Sequence, residues 1–363
     1  MKKLDWYILR KFFSTFVFCM LAFTVIAVAV DSSEKTDDFV KTGLSTFEII
    51  RQYYVGFVPF IWGMLFPLFV FIAVIFFTSK MALRSEVIAI LASGTSFRRW
   101  LRPYVVGGIF MGLLLWFANL YAIPKANEIR SDFETKHLTS FNAQDTYQRC
   151  ANCFYKRLDS ITYAGIKYFD ATSKSASGFF MEKVQNNKVV YNLRADRMEW
   201  DSTKKAWKLT NVIERKLDSA GERVQHFPDK IMKLNLQPSE LRKDDFLKDK
   251  LTSPELYRFI QLEEQRATEG LAPLKVELAR RNATPYTVLL LTLIGAIIAG
   301  RKTRGGSGLH LAIGIIIASV YILSDRFSTV FAIKSNFHPV LAAWIPNIVF
   351  TLVAIYLFKK APK

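Results

Sequence analysis

The side chains able to make or break bonds are few in this 363-residue sequence, and they are scattered. Its four histidines, His137, His226, His310 and His338, lie far apart. No H-E-x-x-H pair sets two of them on one helix face, as a zinc hydrolase requires. No G-x-S-x-G occurs to raise a serine nucleophile, and no G-x-x-x-x-G-K-[ST] occurs to cradle nucleotide phosphates. The expectation is a chain that is not an enzyme and holds no cofactor or metal of its own. Cys150-Ala-Asn-Cys153 is the one redox-like or metal-like spacing. A structural zinc site takes four ligands and there is no second cysteine pair. A thioredoxin-like role wants a βαβ context that is missing. Three readings stay open: a local disulfide or plain thiols in an oxidising compartment, no role, or a metal shared with His137 or His226. Cys19 sits inside an apolar run and reads as packing.

Binding chemistry is better represented. Asp325 and Arg326 interrupt an apolar run, where charge is expensive and must face a wet cavity or a partner. Either they touch a polar group of a substrate, or they pair with each other or a neighbouring helix. Lys35, Lys41, Arg51, Arg130 and Lys136 flank the first three apolar runs on one side. With Arg326 they form a candidate set for the phosphates of a lipid head group, held by charge-assisted hydrogen bonds. The alternative for each is a solvated loop face. The segment Arg84-Ser-Glu-Val-Ile-Ala-Ile-Leu-Ala-Ser-Gly94 predicts a short helix capped by Ser85 and ended by Gly94, with Val87, Ile88, Ile90 and Leu91 apolar and Glu86 acidic. Such an element docks a partner or lies on lipid.

Six apolar blocks must position these residues: Phe12–Val30, Tyr53–Thr78, Pro103–Ile123, Pro285–Gly300, Leu309–Ile333 and Val340–Phe358. Each approaches the roughly 20 residues that cross a bilayer core. The fourth is shortest, and its start extends back toward Leu278. The first run is too long for a cleavable signal and reads as a permanent span. Lys2, Lys3, Arg10 and Lys11, the loop with Lys80, Arg84, Arg98, Arg99 and Arg102, the loop with Arg301, Lys302 and Arg304, and the tail with Lys359, Lys360 and Lys363 all fall on one side. The positive-inside rule makes that side cytoplasmic. The net charge of +18 therefore belongs to membrane edges facing anionic lipid, and nucleic acid is not expected.

Between the third and fourth blocks the texture is that of a soluble protein. A polar helix, Lys125–Ser140, continues the third span. Ile161–Phe169, Gly178–Val184, Val189–Trp200, Ala206–Arg215 and Lys230–Leu236 then alternate apolar and polar residues, with turns at Asn186-Asn187, Asp201–Lys204 and Asp218–Gly221. Strands without intervening helices predict a β-sandwich or jelly roll. Ser253-Pro254-Glu255 then starts an amphipathic helix that Gly270 closes, and Leu274–Arg281 leads into the fourth span. The fold class expected is an α-helical membrane protein of six spans with an inserted all-β, jelly-roll-like domain. The parts are 1–124 (spans one to three), 125–250 (β-domain), 251–284 (amphipathic helices) and 285–363 (spans four to six).

Three regions together resemble the LptF/LptG permease family of lipopolysaccharide export. They are Arg84-Ser85-Glu86 through Ala92-Ser93-Gly94-Thr95-Ser96, the start Leu4-Asp5-Trp6-Tyr7-Ile8, and the layout of three spans, β-domain, a helix from Leu251-Thr-Ser-Pro-Glu-Leu256, and three spans. Tyr321-Ile-Leu-Ser-Asp325-Arg-Phe327 and Ile345-Pro346 look closer to LptG. The resemblance implies an inner-membrane permease paired with a second homologous permease above a cytosolic ATPase dimer, which would bind ATP and magnesium. Lipopolysaccharide would pass through the periplasmic jelly roll to a periplasmic transfer protein of the same fold. Carried over by position, Arg84, Ser85, Glu86, Ile90 and Gly94 would couple to the ATPase, Lys35 and Lys41 would meet lipid phosphates, and spans one and five would form a lateral gate. Asp31 stands where some relatives place a lysine, and Glu134 occupies a position often basic. Two other classes remain: a membrane-anchored binding or scaffold protein, and a permease for another lipid or lipoprotein; exporters of lipoproteins or peptides commonly have four spans per chain, which the count of six disfavours.

Overall fold

The computed structural model describes residues 3–138, 154–159, 161–170, 173–185, 188–218, 221–234, 236, 238, 247–265, 270–301, 306–335 and 337–361. Cys150 and Cys153, and the Asn186-Asn187 turn, lie outside them. Two compact units emerge, one of residues 1–139, 248–257 and 272–363, the other of residues 140–247 and 258–271.

The first unit is built on six helices long and apolar enough to cross a bilayer. They are α1 (Lys3–Glu34), α3 (Thr46–Leu83), α5 (Phe97–His137), α8 (Ala272–Ala299), α9 (Gly306–Lys334) and α10 (Pro339–Lys359). Short helices α2 (Thr36–Thr42) and α4 (Glu86–Ala92) connect them. In α5 a π turn at Ala118–Ala122 ends two residues before Pro124, which has no N–H to donate and whose ring crowds the carbonyl four residues back. The helix therefore continues to His137 instead of breaking at the proline. Span four begins earlier than its apolar block: α8 starts at Ala272 and runs through Pro285. Phe12, Phe69, Val70, Phe77, Trp100 and Tyr104 anchor the main core. Phe71, Leu291, Ile294 and Phe350 form a second cluster against α9 and α10.

Glycines set the closest approach of α5 to α8. A Cβ on Gly112 would lie 2.7 Å from the Pro285 carbonyl oxygen, and one on Gly108 would lie 3.0 Å from Leu289 Cδ1. Small residues four apart let two membrane helices touch backbone to side chain, and dispersion then replaces the missing hydrophobic drive. The helix after the β-domain, α7 (Ser253–Gln265), is capped one residue earlier than the sequence pattern implies. Thr252 N and Oγ1 both donate to Glu255, at 3.0 and 2.6 Å, while Ser253 Oγ donates to the Asn119 carbonyl at 3.2 Å. The short turn Leu247–Lys250 precedes it as α6.

The second unit holds one antiparallel sheet of seven strands, ordered β1-β2-β4-β5-β6-β7 with β3 on β4. They are β1 (Phe154–Arg157), β2 (Thr162–Ile166), β3 (Tyr168–Asp170), β4 (Ser175–Gln185), β5 (Lys188–Asp201), β6 (Ala206–Asp218) and β7 (Gly221–Met232). The last strand begins nine residues before the expected Lys230, because β7 is exposed along most of its length and so lacks the alternation that marks a half-buried strand. One row crosses the sheet where the pleat reverses. The pairings flanking it, Tyr168↔Ser177, Phe179↔Ala195, Ala195↔Val212 and Val212↔Phe227, place Lys167, Gly178, Asp196, Asn211 and Pro228 in register. Gly178 and Asn211 have φ of 64° and 58°, a conformation glycine and asparagine tolerate best. Before and after the row the buried residues change parity: Ala176 then Phe179 and Met181, Ala195 then Met198, Leu209 then Val212. Residues from both sides nevertheless enter one core with Leu193, Trp207 and Leu236. A single ladder bent along this line thus encloses its core between its own two halves, the sandwich-like result the strand pattern implies. Trp207 Nε1 donates to the Leu236 carbonyl at 2.8 Å and closes that core.

Candidate functional site

Three groups of polar residues stand out in the membrane unit, and none is arranged for bond chemistry. Among the described residues no three His, Cys, Asp or Glu side chains cluster to hold a metal.

The first is the short helix α4. Ser85 precedes it with a left-handed backbone (φ 60°) and makes no capping bond to it, so the capping expectation is corrected: a residue bent that way cannot aim its oxygen at the N–H groups of the first turn. Gly94 ends the segment at φ 83°, and Ser96 caps α5, accepting from Arg99 N at 3.4 Å. Val87 is buried while Ile88 is 47% exposed, and Ile90 is half-buried. Glu86, in the first turn, accepts from Tyr7 OH at 2.9 Å and lies 3.3 Å from Lys11 Nζ. Close by, Arg99 bonds the buried Asp5 at 2.8 Å, and Arg84 is exposed.

The second group is the candidate cation set. The structure separates its members. Lys35 lies 3.2 Å from Asp31 and 3.0 Å from Glu134, and also bonds the Tyr53 hydroxyl. Two carboxylates thus already satisfy this ammonium. Tyr53 OH in turn donates to Asp31 at 3.0 Å. Arg130 is buried and stacks over the Phe60 ring at 3.8 Å. Lys41 pairs with Asp38 at 3.6 Å with 58% of its side chain exposed. Arg51 and Lys136 are exposed.

The third group was only half expected. Asp325 does not pair with its neighbour Arg326. It faces Arg280 of span four, with Nε 3.4 Å from Oδ2. Arg280 and Arg281 reach Glu277 at 3.7 and 3.1 Å. Arg281 is 7% exposed and also donates to the Leu251 and Lys248 carbonyls, both at 2.8 Å. One turn before Asp325, the Tyr321 hydroxyl, Thr287 Oγ1 and Asn347 Oδ1 form a buried triangle with sides of 2.8, 2.9 and 3.0 Å. Every buried polar atom in hydrocarbon needs such a partner. Two cavities meet here, of about 80 and about 230 Å³, sharing Arg280, Thr284 and Arg326. Arg326 is exposed and lines both. Asp249 lines the second cavity, and burial and the Glu277 carboxylate raise its pKa, against the pull of Lys248, Arg281 and Arg130. Arg280 and Arg281 were missed in the sequence because the stretch reads as an amphipathic surface; the signal was two adjacent arginines leading straight into an apolar run.

The six spans differ in how far the rest of the unit covers them. In the most apolar stretch of α8, 61% of residues are buried, against 11% in α1 and 22% in α9. Phe18, Val25, Ile316 and Phe327 are each more than half exposed. The arrangement has a short helix, α4, between two spans, apolar spans of which α1 is the least covered, and paired charges within. Comparison with curated proteins gives no match. A family model described as lipopolysaccharide export system permease LptF/LptG matches residues 6–360, nearly the whole chain. The protein therefore belongs to the LptF/LptG family of lipopolysaccharide export permeases.

Proposed function

We propose that this chain is one permease subunit, of the LptG type, in an ATP-driven transporter that lifts lipopolysaccharide out of the inner membrane and hands it to a periplasmic bridge. In this reading both termini and α4 are cytoplasmic, following the lysines and arginines of the short loops, and the β-domain is periplasmic. The observation that carries the proposal is the near-bare state of α1, with 11% of its most apolar stretch buried, and the low coverage of α9, at 22%, beside the well-covered α8, at 61%; α5 and α10, at 28%, are nearly as open as α9. A second homologous permease would face these two spans, and the lipid would enter between them.

Lifting a multi-acyl lipid exposes apolar surface at about 0.8 kcal/mol per CH₂. Several chains together far exceed thermal energy, so an external source must supply the work. A cytosolic ATPase dimer, holding ATP and magnesium, would supply it through α4, where Glu86 with Arg84, Ser85, Ile90 and Gly94 forms the contact. Head-group phosphates would meet the exposed Arg326, Arg51, Lys41 and Lys136 before the occupied Lys35 and the buried Arg130. The apolar core of the bent sheet would then take acyl chains in place of the bilayer.

Glu86→Ala is expected to reduce co-purification of the ATPase while six-span insertion persists. Mass spectrometry of lipids retained after gentle purification of the intact complex is expected to find lipopolysaccharide. Retention of ordinary phospholipid alone, together with unchanged ATPase association in Glu86→Ala, would leave a scaffold as the better account.

A further inference from the structure

The acid that leads α4 is not held by α4's own neighbours in sequence. Both of its bonds come from span one: Tyr7 OH at 2.9 Å and Lys11 Nζ at 3.3 Å, and both end on the same oxygen, Oε2. Tyr7 and Lys11 are four residues apart, so they share one face of α1, and the Lys11 ammonium lies 4.2 Å from the centre of the Tyr7 ring. The three side chains form one cluster, with 26% of Glu86 and 32% of Lys11 exposed. Oε1 keeps its acceptor capacity for a donor arriving from outside. Beneath the cluster Val87 is buried in the same apolar core as Ile8 and Leu4.

We infer that Tyr7 and Lys11 are positioning residues that tie the docking acid Glu86 to span one, so that a displacement of α4 is delivered directly to α1. This rests on the proposal that Glu86 contacts the ATPase. Two features of the chain favour it. Within this chain α1 is the least covered span, with 11% of its most apolar stretch buried, so few contacts inside the chain hold it back when it moves. It is also one unbroken helix from Lys3 to Glu34; a rigid rod pulled at its first turns carries the displacement to its far end, about 1.5 Å of length per residue. Tyr7 and Lys11 orient the carboxylate through one oxygen and leave the other for the partner, so a single acid serves both contacts.

The test uses the full complex of this chain with its partner permease and ATPase in proteoliposomes. Three quantities are measured: ATPase affinity, ATP hydrolysis, and lipopolysaccharide released per ATP. Lys11→Met combined with Tyr7→Phe is expected to keep affinity within about twofold while release per ATP falls at least about threefold; Lys11→Arg, which keeps the charge, restores most of it. Unchanged release per ATP in the double variant would overturn the inference. So would a loss of ATPase affinity as large as that of Glu86→Gln, or failure of the complex to assemble, since either makes Tyr7 and Lys11 part of the dock or of the fold. If Glu86→Gln itself leaves affinity unchanged, the docking proposal fails, and the release ratio of the double variant still reports on the tie to span one.

Discussion

Replacing Gly112 by alanine should push spans three and four apart. The added methyl would sit 2.7 Å from the Pro285 carbonyl oxygen and 3.4 Å from Pro285 C and Cα. The obstacle is backbone on both sides, so no side-chain rotation relieves it, and α5 and α8 must separate by about half an ångström to restore ordinary contact. Overpacking of this kind costs about 1–3 kcal/mol. Alanine also returns up to about 1 kcal/mol of helix propensity, which hides part of the clash. Gly308 supplies the control: it too is helical, in α9, and nothing lies within 4 Å of its would-be Cβ. Comparing the two variants offsets part of the propensity gain, Gly308 lying in the first turn of α9, and leaves the clash at about 1–3 kcal/mol. The assay is thermal unfolding in one detergent, read by loss of monodisperse protein on size exclusion. Gly112→Ala should melt several degrees below Gly308→Ala, with Gly108→Ala between them because its nearest obstacle is the mobile end of Leu289 at 3.0 Å. If Gly112→Ala melts at or above the Gly308 variant, the close approach of these two spans is wrong, and with it the placement of Arg280 and Arg281 on α8.

Arg281→Met should cost about 1–3 kcal/mol, because it removes the donor to two backbone carbonyls and the nearer of the two arginines on Glu277, which keeps Arg280, in a site where Arg281 is 7% exposed; faster tryptic cleavage after Lys248 and Lys250 would report the loosened segment, and Arg281→Lys should rescue little, since an ammonium lacks the guanidinium fork. Asp249 has its pKa raised in the fold by burial and by Glu277, so its charge opposes folding at neutral pH and that penalty disappears as pH falls through the raised value. Asp249→Asn is therefore expected to raise the melting temperature at pH 8 and to converge with the parent under acid; no gain at pH 8 would contradict the assignment. In the β unit, Glu214 is buried, which opposes its charge, but hydrogen bonds from Lys230 and Lys216 prevail and hold its pKa below the usual range; its stabilisation is present above that range and is lost as pH falls through the lowered value, whereas Glu214→Gln should be less stable at neutral pH and lack this acid-dependent loss. Asp31→Asn should release Lys35 from one of its two carboxylates and increase binding of phosphate-bearing lipid in a vesicle pull-down; unchanged binding would mean that Lys35 serves packing alone.

The spans were legible because twenty apolar residues in a row have few other uses in a protein, and the strands β2, β4, β5 and β6 because one face of each is buried; β3, with no buried residue, reads as a continuation of β2. What escaped the sequence depended on distance. Asp31 and Glu134 lie 103 residues apart and meet at one lysine; nothing local in either stretch announces that Lys35 is already occupied. The start of span four was obscured by Glu277, Arg280 and Arg281, which as a linear stretch suggest a water-facing surface and in space are paired with one another, with Asp325 or with backbone. The bend of the sheet left traces in Gly178, Asn211 and Pro228, each a residue that tolerates what an ordinary strand position forbids. Each trace alone is weak. Only the register, which puts all three in one row, turns them into a fold line.

The pairing of charges also constrains how a lipid could be moved. Lys35 is matched by Asp31 and Glu134, Arg280 by Glu277 and Asp325, Arg281 by Glu277, and Arg99 by Asp5. Had these cations been arrayed to grip phosphate, each would have to shed a strong partner first, and the attraction gained would be offset by the pair broken. The uncovered surfaces of α1 and α9 carry no such penalty. Each CH₂ that leaves the bilayer for an apolar span changes one greasy neighbour for another, at a free-energy difference close to zero, where entry to water would cost about 0.8 kcal/mol. Under the proposed function, selection of the lipid would fall to a few exposed cations, while most of the path would be made of Phe, Ile, Leu and Val. On this account a charge-neutralising change at Arg326 should alter which lipid is held, and a polar change in the middle of α1, at Phe18 or Val25, should alter whether any lipid is held at all.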